Sequence, residues 1–178
     1  DEQEPLFHIE RSLLRPLGLL LRTVQVNVYT VHQEQPRLWC ARRAAHKAID
    51  PGLLDSLVAG GIGCDETPLS TLFREASEEA GLAQTLARHA LPTGIMDSTS
   101  LSEDDGHTVL HRERMHVFDL QVPEGFQPTH PDGETESASL QSLEAVLAQI
   151  RQGQWTREGA WASINLMHRH QKGMLQLR

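Results

Sequence analysis

The order of patterned segments predicts an α+β fold, a mixed β-sheet with helices on its faces. Three observations predict it. Residues 23–31 (TVQVNVYTV) alternate valine with other side chains, which reads as a strand. Residues 60–82 (GGIGCDETPLSTLFREASEEAGL) read as a glycine turn, a proline-started helix and a glycine stop. Further strand patterns follow that helix, and helical patterns close the chain. The 178 residues are enough for one domain with a sizeable core.

Residues 1–22 mix charge with leucine, and Pro16 and Gly18 interrupt any long helix. They read as an N-terminal arm, with either a short helix before Pro16 or an irregular path, and the domain proper spans 23–178. In the first strand Val24, Val26 and Val28 alternate with Gln25, Asn27 and Tyr29, the pattern of a half-buried strand. A turn at 32–37 leads to a second strand at 37–41, so the two form a hairpin. Arg42, Arg43 and Lys47 then make a cationic cluster, and Pro51 with Gly52 marks a turn. Residues 55–59 predict a short strand entering Gly60 and Gly61, where glycine permits a positive φ or a close backbone approach.

Thr67 suits the N-cap of the following helix, Pro68 its first turn and Gly81 its C-terminal stop. At about 100° per residue, Leu69, Leu72, Phe73, Ala76 and Ala80 share one arc, suited to a core. Glu75, Glu78 and Glu79 fall on the adjacent arc, with Arg74 beyond it. Residues 93–108 (TGIMDSTSLSEDDGHT) are polar and irregular and read as a mobile loop. Residues 109–122 contain RMHVFDLQV, another alternating strand, and residues 123–136 form a loop ending in Glu134 and Glu136. A last strand is expected at 137–141. Ser142 caps a helix with Leu143, Val146, Leu147 and Ile150 at helical spacing, stopped by Gly153. A final helix over 157–171 places Trp161, Ile164, Met167 and His168 on its apolar side and ends at Gly173. Trp39 and Trp161 are expected in the core.

Composition narrows the function. A net charge of −8 argues against general nucleic-acid binding, so phosphates must be met by local Arg and Lys or by a metal. Two cysteines, Cys40 and Cys64, form no disulfide framework and read as free thiols of a reducing, cytoplasmic setting. The chain starts at Asp1 rather than Met, which also leaves room for an organellar leader ahead of it. No apolar run approaches the ~18 residues that span a membrane.

The carboxylate arc calls for a cation. Glutamates at i,i+3 and i,i+4 repel one another, and carboxylate-dominated sites suit a hard divalent ion such as Mg²⁺. A strand, a glycine turn and a helix with clustered glutamates, set beside Arg and Lys, suit metal-assisted attack on a phosphoanhydride. In that chemistry a further carboxylate accepts the proton of the attacking water, and Arg42, Arg43 or Lys47 holds the non-transferred phosphate. Two metals about 3.5–4 Å apart would serve such a displacement as well. None of the ten histidines shows metal-ligand spacing.

Gly60, Glu66, Arg74, Glu75, Ala76, Glu78, Glu79, Gly81 and Leu82 match the Nudix box, G-x5-E-x7-R-E-U-x-E-E-x-G-U, at every defining position. The chain therefore resembles the Nudix hydrolases. The resemblance implies a mixed sheet sandwiched between helices and Mg²⁺- or Mn²⁺-dependent cleavage of a small-molecule diphosphate. It implies Glu75, Glu78 and Glu79 as metal carboxylates, with Glu78 and Glu79 also counted in the catalytic set. It implies Arg74 as their orienting partner, paired with Glu75 and Glu66, and Gly60, Glu66 and Gly81 as structural members of the motif. The backbone near Ala59 and Gly60 would offer the metal a carbonyl. The extra carboxylate or base of such enzymes varies in place; here Glu134, in a DGE triplet, is preferred to Glu136. Homodimers are common in the fold.

A wider resemblance rests on PLFHIER, LWCARRAAHKAIDPGLLDSLVAGGI and VFDLQVPEGFQPTHPDGE. These look like the Nudix subgroup associated with thiamine pyrophosphokinases, some members of which act on damaged thiamine diphosphate. In that subgroup a further domain commonly precedes the Nudix domain, and PLFHIER would be the junction. Two alternatives share the fold. An isomerase of the isopentenyl-diphosphate type shares the RRxxxKxxxPG-like segment but needs a cysteine where this chain has DSLVAGGI. A non-catalytic binding module usually loses box glutamates, and this chain keeps them all.

Overall fold

β1 (Leu20–His32) is the strand on which the sheet is assembled. It pairs antiparallel with β2 (Gln35–Arg43) and β4 (Val58–Gly61), and parallel with β6 (His107–Gln121). β3 (Leu54–Ser56) and β7 (Thr135–Ser142) both add to β2, and β5 (Leu91–Asp104) lies outside β6 as an edge. The computed structural model describes residues 8–104, 106–129 and 133–175, and among them seven strands form this one mixed sheet. Residues 5–7 of PLFHIER and Asp132 of the DGE triplet lie outside the described residues.

Strand alternation sends the two sides of β1 to different helix layers. Val24, Val26 and Val28 pack with Leu72, Ala76 and Ala80 of α1 (Pro68–Ala80), and with Phe118 and Leu120 of β6. α2 (Gln84–Ala87), a single turn that the sequence pattern does not announce, adds Ala87 to this layer. On the other side Tyr29, Leu38 and Cys40 pack with α3 (Leu143–Arg151) and α4 (Arg157–Gln171) through Val146, Leu166 and Met167. The result is the α/β/α sandwich expected.

Several expectations are corrected. β1 is buried on both faces, not half-buried: Thr23, Gln25 and Asn27 are buried as well as the valines. Asn27 donates to Asp119 Oδ1 (2.9 Å) and to the Ala162 carbonyl (3.2 Å), and Arg169 on α4 donates to Asp119 Oδ2 (2.6 Å). Burying polar groups costs free energy unless they are paired, and these pairs offset part of that cost. The single strand expected at 55–59 is two, β3 and β4, broken at Leu57 so that one pairs with β2 and the other with β1. Residues 93–108 are not a loop: most of them form β5, which runs beside β6 in a long antiparallel hairpin. As an edge strand β5 leaves Ile95 and Leu101 60% and 72% exposed, so burial imposes no clean alternation on it.

Two helix faces also differ from expectation. On α1, Leu69 is exposed, whereas Thr71 and Glu75 are buried beside Leu72 and Ala76. On α4 the buried positions are Gly159, Ala160, Ala162, Ser163, Leu166 and Met167, while Trp161, Ile164 and His168 face out. Small residues bring α4 close to the sheet: a Cβ at Gly159 would lie 2.5 Å from Asp55 Oδ1. Trp39 is in the core as expected, in edge contact with Phe126.

Candidate active site

The site is built on α1, and its caps fix where that helix begins and ends. Thr67 Oγ1 accepts from Ser70 N–H (3.1 Å), and Ser70 Oγ accepts from Thr67 N–H (2.9 Å). Gly81 closes the helix in the left-handed conformation, φ 61°, where a side chain would also meet Thr129 Oγ1. β4 then passes so near α1 that a Cβ at Gly60 would overlap the Glu75 carboxylate. Gly60 is therefore required for close approach, not for a positive φ. One position earlier, Ala59 N–H donates to Glu79 Oε2 (2.7 Å).

Arg74 ties the motif together. Its Nε and Nη2 grip the two Glu66 oxygens (2.7 and 3.0 Å), a forked pairing suited to a guanidinium. Its Nη1 reaches Glu75 Oε1 (2.8 Å) and Glu78 Oε2 (3.0 Å), and Nη2 also donates to the Gly61 carbonyl (3.3 Å). Glu66 accepts further bonds from Gly63 N–H (2.9 Å) and Thr71 Oγ1 (3.0 Å). Hydrogen bonds from Arg74, above all, hold Glu66 down at about 2. Glu75 moves the opposite way: burial raises it, and Arg74 only partly offsets that.

The Glu66 shift gives a stability prediction with a definite sign. A carboxylate whose folded pKa lies below its unfolded value stabilises the fold above the unfolded value, and that stabilisation is lost as pH falls through the folded one. Between pH 4.5, its ordinary value, and about 2, the wild-type melting temperature should therefore fall more steeply than that of Glu66→Gln. Thermal melts of the two proteins across that window check it; parallel curves would show that Glu66 gains nothing from its partners.

Glu75, Glu78 and Glu79 line a cleft of about 290 Å³ together with Ala59, Gly60 and Arg74. Glu134, Arg43, Lys47 and Arg11 complete its lining. Lys47 Nζ donates to Glu134 Oε2, which holds that carboxylate below its usual range. Arg43 is fixed by the Ile49 carbonyl (2.9 and 3.2 Å) and by Asp55 Oδ2 (3.2 Å). Burial pushes Asp55 up to about 6 despite Arg43.

Of the three expected phosphate-binding cations, the structure brings Arg43 and Lys47 to the cleft. Arg42 is not in its lining and donates instead to the Gly52 carbonyl (2.6 Å). Adjacent strand residues point to opposite faces, and the register shifts between Arg42 and Arg43. Glu134 lines the cleft, while Glu136 is exposed on β7 outside it. Arg11, which sequence reasoning did not single out, enters the cleft from the N-terminal arm. A larger hollow of about 400 Å³, lined in part by Tyr29, Leu91, Asp119 and Gln121, holds none of the expected site residues.

The donor set fits a hard divalent ion. Three carboxylates converge on one cleft, and the glycine at residue 60 leaves room for Glu75 beneath β4. A second titratable group, missed in the sequence, lies under α4 on the other side of the sheet. His111 and Glu113 of β6 meet Glu158 of α4 there, with His111 Nε2 2.8 Å from Glu113 Oε2. Only the fold brings these residues together, so spacing along the chain carried no signal for them.

The mixed sheet between helices, with a glutamate-bearing helix set against a glycine strand, is matched by known proteins. The NUDIX domain family model matches residues 21–159, and the chain belongs to that family. It is 30% identical over 165 residues to Nudix hydrolase 24, chloroplastic, of Arabidopsis thaliana, covering 92% of this chain and 44% of that protein. The chain spans about half the length of the curated relatives it matches. In structure it resembles a C. elegans Ap4A hydrolase in a binary complex (TM-score 0.55, 14% identity, 85% of this chain and 98% of the other). It also resembles the NUDIX domain of Shewanella oneidensis NrtR, solved with ADP ribose (TM-score 0.54, 18% identity, 92% and 99%). Family members generally use a divalent metal. No helix among the described residues is long and apolar enough to cross a membrane.

Proposed function

We propose that this chain is an Mg²⁺-dependent diphosphohydrolase that cleaves a phosphoanhydride of a small organic diphosphate. The observation that carries the reading is the convergence of Glu75, Glu78 and Glu79 with Arg43 and Lys47 on one cleft. Carboxylates and cations lining one cleft suit a metal–diphosphate complex better than either set alone.

Glu75, Glu78 and Glu79 would hold Mg²⁺ or Mn²⁺. When bound, such an ion neutralises diphosphate oxygens and lowers the pKa of water. Arg74 orients Glu75 and Glu78 from the same helix, and Glu66 in turn fixes Arg74. Ala59 N–H fixes the remaining carboxylate, Glu79. Arg43 and Lys47 bind the phosphate that is not attacked. As Lys47 turns to that phosphate it gives up its bond to Glu134, which then becomes the more basic carboxylate and can accept the water proton.

The substrate we favour is a thiamine diphosphate-like compound, on the resemblance of the segments flanking the box. Nucleoside diphosphate derivatives are the next class, because proteins of similar fold are named for Ap4A hydrolysis or were solved with ADP ribose. The name of the Arabidopsis relative makes an organellar setting as natural as a cytoplasmic one. The isomerase alternative gains no support, since Cys40 is buried in the core under α3 and α4 and Cys64 is exposed outside the cleft lining.

Incubating the protein with Mg²⁺ and thiamine diphosphate, its oxidised analogues, nucleotide sugars and dinucleotides tests the reading through release of phosphate or monophosphate. Turnover of at least one, abolished by EDTA and restored by Mg²⁺, is expected. Silence across the panel, with no metal binding, would overturn it.

A further inference from the structure

We propose that Arg11, on the arm that precedes the family-matched segment, is a diphosphate-binding residue of this site; the proposal rests on the functional reading above. The matched segment begins at residue 21, so Arg11 lies outside what the family model describes. Its guanidinium nevertheless sits over the glycine turn: a Cβ at Gly61 would lie 2.7 Å from Arg11 Nη1. That turn supplies Gly60 to the cleft wall, and the Gly61 carbonyl is held by Arg74 on its other side.

The arm places Arg11 by short-range bonds. Arg11–Leu13 forms a 3-10 turn in which Leu14 N–H donates to the Arg11 carbonyl (3.1 Å). Leu19 N–H then donates to the Leu14 carbonyl (2.8 Å), and β1 starts at Leu20. The side chain is thus tethered a few residues from the central strand.

The charges in the cleft show what Arg11 is free to do. Arg74 is committed to Glu66, Glu75 and Glu78, Arg43 to Asp55, and Lys47 to Glu134. Among the described residues, Arg11 enters no ion pair of that kind. Arg11, Arg43 and Lys47, three cations from separate segments, line one cleft and together suit an anionic ligand. A diphosphate is that anion, and a guanidinium can grip two of its oxygens at once.

Calorimetric titration with methylenediphosphonate in Mg²⁺ reads this without turnover. Arg11→Ala should weaken binding about 10- to 100-fold, the loss of one charge-assisted hydrogen bond or two. Arg11→Lys should fall between, and Arg15→Ala, on the same arm but outside the cleft lining, should bind as wild type. Should Arg11→Ala melt early, Arg11→Met keeps the apolar stem and should show the same loss at the wild-type melting temperature. With a substrate that turns over, KM should rise while kcat stays close to wild type. Binding by Arg11→Ala and Arg11→Met within twofold of wild type, or an equal loss in Arg15→Ala, would overturn the proposal. A wild type that binds the probe but hydrolyses no diphosphate would sink the hydrolase reading and leave the Arg11 comparison intact; a wild type that does not bind the probe would overturn both.

Discussion

Glu79→Gln should lower kcat by two to three orders of magnitude, about the loss seen when one preorganised electrostatic partner of a transition state is removed. The substitution keeps the shape of the side chain. Its amide oxygen can still accept the Ala59 N–H that Glu79 Oε2 now accepts at 2.7 Å, so α1 and β4 keep their spacing. What is lost is one negative charge from the three that α1 brings to the cleft. The melting temperature should stay near wild type while the Mg²⁺ concentration for half-maximal rate rises. Steady-state kinetics across a Mg²⁺ series, run beside a thermal melt, check both parts. Unchanged turnover would mean that Glu79 only braces β4 against α1.

Arg74→Ala should harm fold and activity together. One guanidinium meets three carboxylates and a backbone carbonyl. Its removal leaves Glu75, only 8% exposed, without its cationic neighbour and leaves Glu66 without its fork. Leaving partly buried partners unpaired typically costs about 1–3 kcal/mol. Misaligned metal carboxylates typically cost a further 10- to 100-fold in metal affinity or rate. Arg74→Lys should recover little, because an ammonium is a point charge and cannot span Glu66, Glu75 and Glu78 at once. Denaturant melts and Mg²⁺-dependent rates of both variants separate the two effects. A stable, fully active Arg74→Ala would remove the guanidinium from the centre of the site.

Much of this was legible before the fold, because the box is a local structure. Thr67, Pro68 and Gly81 announced the ends of α1, and its angular arithmetic put Glu75, Glu78 and Glu79 on one side. Even there Leu69 misled: it lies on the apolar arc but before the part of the helix that the sheet covers, and it is 45% exposed. Glu75 misled in the opposite sense, because β4 closes over it at Gly60. Burial along a helix depends on its neighbours as well as its own periodicity.

What stayed hidden depended on distant partners. β5 carries no clean alternation because its described side chains are mostly exposed or half-buried, so its polar residues read as a loop. Gln25 and Asn27 read as solvent-facing because polar residues usually are, yet both are buried, Asn27 against α4. Trp161 and Ile164 looked like the core face of α4, but close contact with β3 selects glycine and alanine instead. Arg42 and Arg43 were indistinguishable as letters; strand alternation and a register shift separate them. Arg11 had no motif to mark it, and only the path of the arm brings it to the glycine turn.

The two sulfurs have very different surroundings. Cys40 is fully buried between the sheet and its helices, and burial pushes its thiol far up, away from the reactive thiolate. Cys64 is exposed in the turn between β4 and α1. This chain thus offers a maleimide one addressable thiol, and a fluorophore placed there would stand just ahead of α1 without any engineered cysteine.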